Sequence, residues 1–162
     1  MNETRRTEER AAELLDEALE LQKLGSYGEA IEYYHRSIEA CPSAEAHTYL
    51  GWALGSQGRL DEAIAECERA ILLDPEFGNP YNDIGVYLMR KGTPDAALPW
   101  FERAKQASRY EARHFPYLNA GHIYASRGML IRALSEFESA LELDPEDQTA
   151  LHAVRTISLR LN

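Results

Sequence analysis

The chain has 162 residues, which suits one compact domain or one short solenoid, and 44% of them are hydrophobic, enough for a continuous core. No apolar run approaches the ~20 residues a membrane-spanning helix needs, and a net charge of −10 argues against nucleic acid, whose binding requires neutralised phosphates. The charge is uneven, with 17 acidic and 7 basic side chains in residues 1–76 and 10 of each in residues 77–162.

This excess reads chiefly as a solvated acidic surface, with a basic partner facing the N-terminal half as the functional alternative. The opening residues, Met1-Asn2-Glu3-Thr4-Arg5-Arg6, run into charged sequence and lack an apolar signal segment. Cys41 and Cys67 form neither a CxxC nor a disulfide framework. A cytoplasmic protein with reduced thiols is the expectation, and the sequon Asn2-Glu3-Thr4 carries little weight without a signal segment.

Apolar residues recur at helical spacing along the whole chain. They predict helix pairs over about 5–23 and 27–40, 44–56 and 60–72, 78–90 and 94–107, and 113–126 and 130–142. A last amphipathic helix over about 147–160 is predicted to turn Leu151, Val154, Ile157 and Leu161 to one face. Inside each pair stands a glycine, at Gly25, Gly58, Gly92 and Gly128, where a helix must end in a left-handed conformation. Five residues later comes alanine: Ala30, Ala63, Ala97 and Ala133. Four further on stands a mostly aromatic site, Tyr34, Cys67, Phe101 and Phe137, and three beyond that a small one, Ser37, Ala70, Ala104 and Ala140. Pro42, Pro75 and Pro145 close three of the four blocks.

Period and pattern resemble the tetratricopeptide repeat (TPR), with its W-x2-L-G-x2-Y, A-x3-F and P positions. The second block carries them as His47, Leu50, Gly51, Leu54, Ala63, Cys67 and Pro75; the third as Tyr81, Ile84, Gly85, Leu88, Ala97 and Phe101. The fourth shows Tyr117, Ala120, Gly121, Tyr124, Ala133, Phe137 and Pro145; the first, weakest in its front half, shows Leu14, Glu17, Ala18, Leu21, Ala30, Tyr34 and Pro42. The resemblance implies an all-α, right-handed superhelical solenoid of antiparallel helix pairs. Its repeats would span about 11–43, 44–77, 78–113 and 114–146 of a single domain, 1–162, closed by a capping helix over about 147–161. The mid-helix Gly51, Gly85 and Gly121 are expected to face the alanine site and let paired helices approach.

Two departures stand in the third block. Arg109 replaces the closing proline and two extra residues follow, which predicts either a prolonged helix or a looser turn over 108–113. Pro99 should bend its helix or delay its start, a tolerated irregularity more than a reshaped surface beside Trp100.

The resemblance also implies that the first helix of each pair lines a concave groove. At about 100° per residue, the positions opposite the core sites place Tyr49, Trp52, Asn82, Asp83, Val86, Arg90, Phe115, Asn119 and His122 there as the partner-binding set. Ala12, Leu15, Asp16, Leu19, Glu45, Thr48, Ser56, Asn79, Met89, Leu118 and Ala125 fall on the same side. Tyr49 and Trp52 would anchor a partner, Asn82 and Asn119 would bond its backbone, and Asp83 and Arg90 would set its charge. Some TPR modules clamp a carboxylate tail with lysine, asparagine and arginine. The matching sites are Leu15, Leu19, Tyr49, Asn79 and Asp83, or one block along Thr48, Trp52, Asp83, Phe115 and Asn119, and they supply no cation. An apolar or mildly basic segment is expected instead.

His35, His47, His114, His122 and His152 show no metal-ligand spacing. His47 and Cys67 read as packing residues and Cys41 as structural, and a His122–Asp83 proton pair is a remote option. No enzyme activity, cofactor or metal is expected. The leading function is a protein-interaction adaptor that captures a peptide or helix and contributes to complex assembly. The alternatives are a self-associating scaffold, using Leu14, Leu15, Leu19 and Leu21 of the opening helix, or a small subunit of a bacterial envelope or pilus machine.

Overall fold

The four predicted turn glycines set the rhythm of the chain. Gly25, Gly58, Gly92 and Gly128 hold φ between 72° and 81°, a region that a side chain disfavours. Around each, the next residue's N–H reaches back to the same carbonyl position: Ser26 to Leu21, Arg59 to Leu54, Thr93 to Leu88 and Met129 to Tyr124, at 2.9–3.0 Å. These bonds satisfy carbonyls that the helix end would otherwise leave open.

The computed structural model describes residues 3–161, so the Asn2 sequon lies outside it. Nine helices are present among the described residues: α1 (Glu3–Lys23), α2 (Tyr27–Ala40), α3 (Ala44–Ser56), α4 (Leu60–Leu73), α5 (Asn79–Arg90), α6 (Pro94–Gln106), α7 (His114–Ser126), α8 (Leu130–Leu143) and α9 (Gln148–Leu161). Each packs on the next, and α3 also touches α5, as α5 touches α7. The result is an all-α helical repeat solenoid whose odd-numbered helices neighbour one another along one side. None of the helices is long and apolar enough to cross a membrane.

The repeat positions form the core. Ala30, Ala63, Ala97 and Ala133 are fully buried, as are Tyr34, Cys67, Phe101 and Phe137. Burial raises the proton affinity of the Cys67 thiol, with the Asp83 charge adding to it. The mid-helix glycines answer mainly to the aromatic site. A methyl group at Gly121 would sit 2.9 Å from Phe137 Cε1, and at Gly51 3.0 Å from the Ala63 carbonyl oxygen and 3.1 Å from Cys67 Sγ. His47 is more than packing: its Nδ1 donates to Glu66 Oε2 at 2.6 Å, both side chains are buried, and Arg69 pairs with the same carboxylate. Burial alone would raise the Glu66 carboxyl, but the His47 hydrogen bond and the Arg69 charge hold it below its ordinary value.

Three expectations need correction. The helix containing Pro99 shows no delay, since it begins at Pro94, and Pro99 and Asp95, whose carbonyl lacks that donor, are both exposed. In α9 the buried face is Ala150 and Ile157 with Ala153 and Val154, whereas Leu151 and Leu161 stay exposed. Of the opening-helix leucines, Leu14 is buried, and Leu15, Leu19 and Leu21 pack on the first core cluster, so they form no free apolar stripe.

The third link is a loose turn. α6 ends at Gln106, and residues 107–113 fold back onto the preceding link. The Arg109 N–H donates to Glu76 O at 2.9 Å and the Gly78 N–H to Arg109 O at 3.0 Å. The Arg109 guanidinium binds Asp74 and Glu45 and lies 4.1 Å over the Phe77 ring. Arg113 donates to the carbonyls of Ala107, Ser108 and Tyr110.

Candidate functional site

Residues three and four apart on a helix share one stripe, and α3, α5 and α7 turn such stripes toward one side of the array. There a recess of about 380 Å³ is lined by Thr48, Tyr49 and Trp52 of α3, Asn79, Asn82, Asp83 and Val86 of α5, Phe115 and Asn119 of α7, and Tyr110 and Ala112 of the link. Seven of the nine partner-binding candidates therefore share one recess: Tyr49, Trp52, Asn82, Asp83, Val86, Phe115 and Asn119.

The other two lie elsewhere. Arg90 is exposed in the last turn of α5. His122 is exposed too, with its ring edge-on to Phe137 at 5.1 Å, so it faces the second helix of its own pair and does not join Asp83. Two of the wider groove positions are buried. Leu118 joins Phe137, Ala150 and Ile157 in the last core cluster, and the Thr48 hydroxyl donates to the Ala44 carbonyl at 2.7 Å.

The aromatic rim and the polar floor differ in character. Trp52 is 55% exposed and Phe115 45%, both large apolar surfaces left facing water. Asn82 is buried and accepts at 3.0 Å from Asn119 Nδ2, so the two amides first satisfy each other across the repeats. Between rim and floor stands Asp83, whose carboxyl is pushed up to about 7 by burial, with an opposing hydrogen-bond contribution from Asn82. Burial raises the proton affinity of Tyr49, Cys67, Tyr87 and Tyr110, which stand about Asp83 on α3, α4, α5 and the link, and the Asp83 charge adds a smaller rise to each, after that of Glu45 for Tyr49. Among the described residues no lysine, arginine or histidine forms an ion pair with Asp83.

Tyr110 and Ala112 also line the recess although they lie outside the repeat's groove positions. The signal available was an aromatic residue inside a link lacking its proline, opposite Gly78, where any side chain would collide with the Tyr110 ring. A second unforeseen cluster joins His114, Asp144 and Asp147, whose ligand-type atoms lie within 4.8 Å of one another. Its carboxylates are committed to the turn: Asp144 Oδ1 accepts from the Glu146 N–H and Asp147 Oδ1 from the Ala150 N–H.

An all-helical repeat array with a lined concave face defines the class of protein. Tetratricopeptide-repeat models match residues 15–79 and 116–147, together more than half of the chain. The chain belongs to the tetratricopeptide-repeat family.

It is 28% identical over 133 residues to the small glutamine-rich tetratricopeptide repeat-containing protein 2 of Mycosarcoma maydis, matching 74% of this chain and 38% of that one. The chain spans well under half the length of the curated relatives it matches first. Among solved structures, Pseudomonas aeruginosa pilF superposes with a TM-score of 0.87 at 19% identity, covering 95% of this chain and 70% of that one, a likeness of fold. The second TPR of Spaghetti (RPAP3), bound to the HSP90 peptide SRMEEVD, gives a TM-score of 0.61 at 26% identity, covering 66% of this chain and all of that one.

Proposed function

We propose that this protein is a protein-interaction module that captures a peptide or helix of a partner in the recess between α3, α5 and α7. The observation that carries the reading is the convergence of seven side chains from three repeats on one recess, with Trp52 and Phe115 held open to solvent at its rim. Exposed aromatics over a preformed concave surface are the residue type that dominates binding energy at interfaces. The RPAP3 repeats take an acidic-ended HSP90 peptide. This recess instead carries Asp83, and the adjoining cleft adds Glu111 together with a Glu45 already paired to Arg109, which favours an apolar or basic segment over an acidic tail.

A photo-crosslinking residue placed at Trp52 should capture the partner, and one at the exposed Leu72 of α4 should not. Trp52→Ala with Phe115→Ala should weaken binding at least tenfold while the melting temperature stays within about 3 °C, since both side chains are largely solvent-facing. Crosslinking from Leu72 alone would move the site to the outer helices and defeat the reading.

Self-association is the second reading, and one observation favours it. Ile131, Leu159 and Leu161 are exposed at the C-terminal end, beside a recess lined by residues 128–132 and Leu161. If this end stacks on another copy, solution mass will rise with concentration and Ile131→Glu will abolish the rise.

A further inference from the structure

Two features of the recess lack the partner that the rest of the chain supplies to groups of the same kind. The first is a charge. Three nearby acids that are at least part-buried have cations: Glu45 and Asp74 pair with Arg109, and Glu66 with His47 and Arg69. Asp83, part-buried in the recess, has no cation among the described residues. Withdrawing a carboxylate from water without a counter-charge is unfavourable.

The second feature is a set of aromatic faces. Elsewhere the chain places its own cations over its rings: Arg36 over Tyr33, Arg103 over Tyr81 and Trp100, Lys105 over Tyr117, Arg109 over Phe77 and Arg132 over Tyr124. Among the described residues no such cation covers Tyr49, Trp52, Tyr110 or Phe115, the four rings around Asp83. Aromatic faces arranged about a carboxylate attract a cation through both the ring quadrupole and the charge. At about 380 Å³ the recess lies near the small end of ligand pockets, a size suited to one long side chain. The Asn119 amide oxygen, with no donor from the described chain, adds an acceptor beside it.

We infer that this recess receives one lysine or arginine side chain of a partner segment, its charged head at the Asp83 carboxylate and its stem between Tyr49, Trp52, Tyr110 and Phe115. This rests on the groove being the binding face and specifies what the groove selects. The acidic N-terminal half would draw such a segment in, since excess charge of one sign raises the local concentration of the other.

The test is affinity selection of an N-acetylated, C-amidated random heptapeptide library on the full chain, which removes terminal charges as competitors. Wild type should enrich lysine or arginine at one fixed position. Replacing that residue by norleucine in a selected peptide should weaken binding about ten- to a hundredfold, the range for a lost charged hydrogen bond. Asp83→Asn, an isosteric change, should bring the lysine-to-norleucine ratio close to one, and Trp52→Ala should weaken both peptides. Neutral or acidic residues at that position, or a lysine preference that survives Asp83→Asn, would overturn the inference while leaving the groove reading intact. Selection of no peptide that Trp52→Ala weakens would overturn both.

Discussion

The turn after α8 and the link after α6 occupy equivalent places in successive repeats and are built in opposite ways. The turn, Asp144-Pro145-Glu146-Asp147, is braced mainly by its own backbone, with His114 of α7 3.8 Å from Asp144. Asp144 accepts from the Glu146 N–H two residues on, and Asp147 caps α9 through the Ala150 N–H at 2.7 Å. The link over 107–113 has neither proline nor cap. It is held by contacts distant in the chain, with the loop over 74–78 some thirty residues away and with Glu45, 64 residues away, and in exchange it delivers Tyr110 to the recess. A local turn only reverses the chain, whereas a link stabilised at long range also builds part of the candidate site. Substitutions in the link should therefore cost both stability and binding, and substitutions in the turn should cost little of either.

The largest effect is expected from Tyr110→Ala. Loss of a buried aromatic ring costs about 3–4 kcal/mol, a melting-temperature fall near 10 °C for a chain of this size, together with weaker groove binding. Next is Gly78→Ala. The new methyl group would collide with Cβ and the ring of Tyr110, which cannot simply swing aside, for about 2 kcal/mol by chemical denaturation; if the variant is as stable as wild type, the packing between the two links is looser than described.

Asp83→Asn should move the other way. The folded carboxyl, pushed up to about 7, binds its proton more tightly than an unfolded aspartate near 3.9. The stability it contributes is complete below about pH 4 and is lost as pH rises through about 7. The asparagine variant should accordingly match wild type near pH 4 and become progressively more stable than it as pH rises through about 7 to 8, by chemical denaturation at each pH. A stability gap that does not change with pH would mean that Asp83 is solvated like a surface acid.

Arg109→Ala follows at about 1 kcal/mol, because its ion pairs with Asp74 and Glu45 are half-exposed and its stacking on Phe77 is a modest addition. That loss should shrink in high salt. Pro145→Ala should cost least, about 0.5 kcal/mol through the unfolded chain, with groove binding unchanged; a larger loss would show that the turn also depends on its neighbours.

The candidate site was legible where it depended on helix periodicity and obscure where it depended on rotation or distant contact. Tyr49, Trp52, Asp83, Val86 and Phe115 fall in the recess because their places in the repeat already turn them from the core. Leu118 shares that pattern, yet α9 offers it an apolar neighbour and it packs inward. Asn82 and Asn119 are expected from sequence to bond a partner's backbone, but adjacent repeats bring them to 3.0 Å and they bond each other. His122 and Arg90 sit at positions where one residue step, about 100° of rotation, separates groove from flank.

By itself the sequence determined nine helices, their turns and the repeat that joins them, because left-handed glycines, closing prolines and apolar spacing act within a few residues. Tertiary structure alone decided which face of α9 is buried, that His47 finds Glu66, and that the irregular link folds back to place Tyr110 opposite Asp83. Those outcomes depend on residues far apart in the chain, 19 positions for His47 and Glu66 and 35 for Arg109 and Asp74, and local sequence carries no signal for a contact whose other half lies so far away.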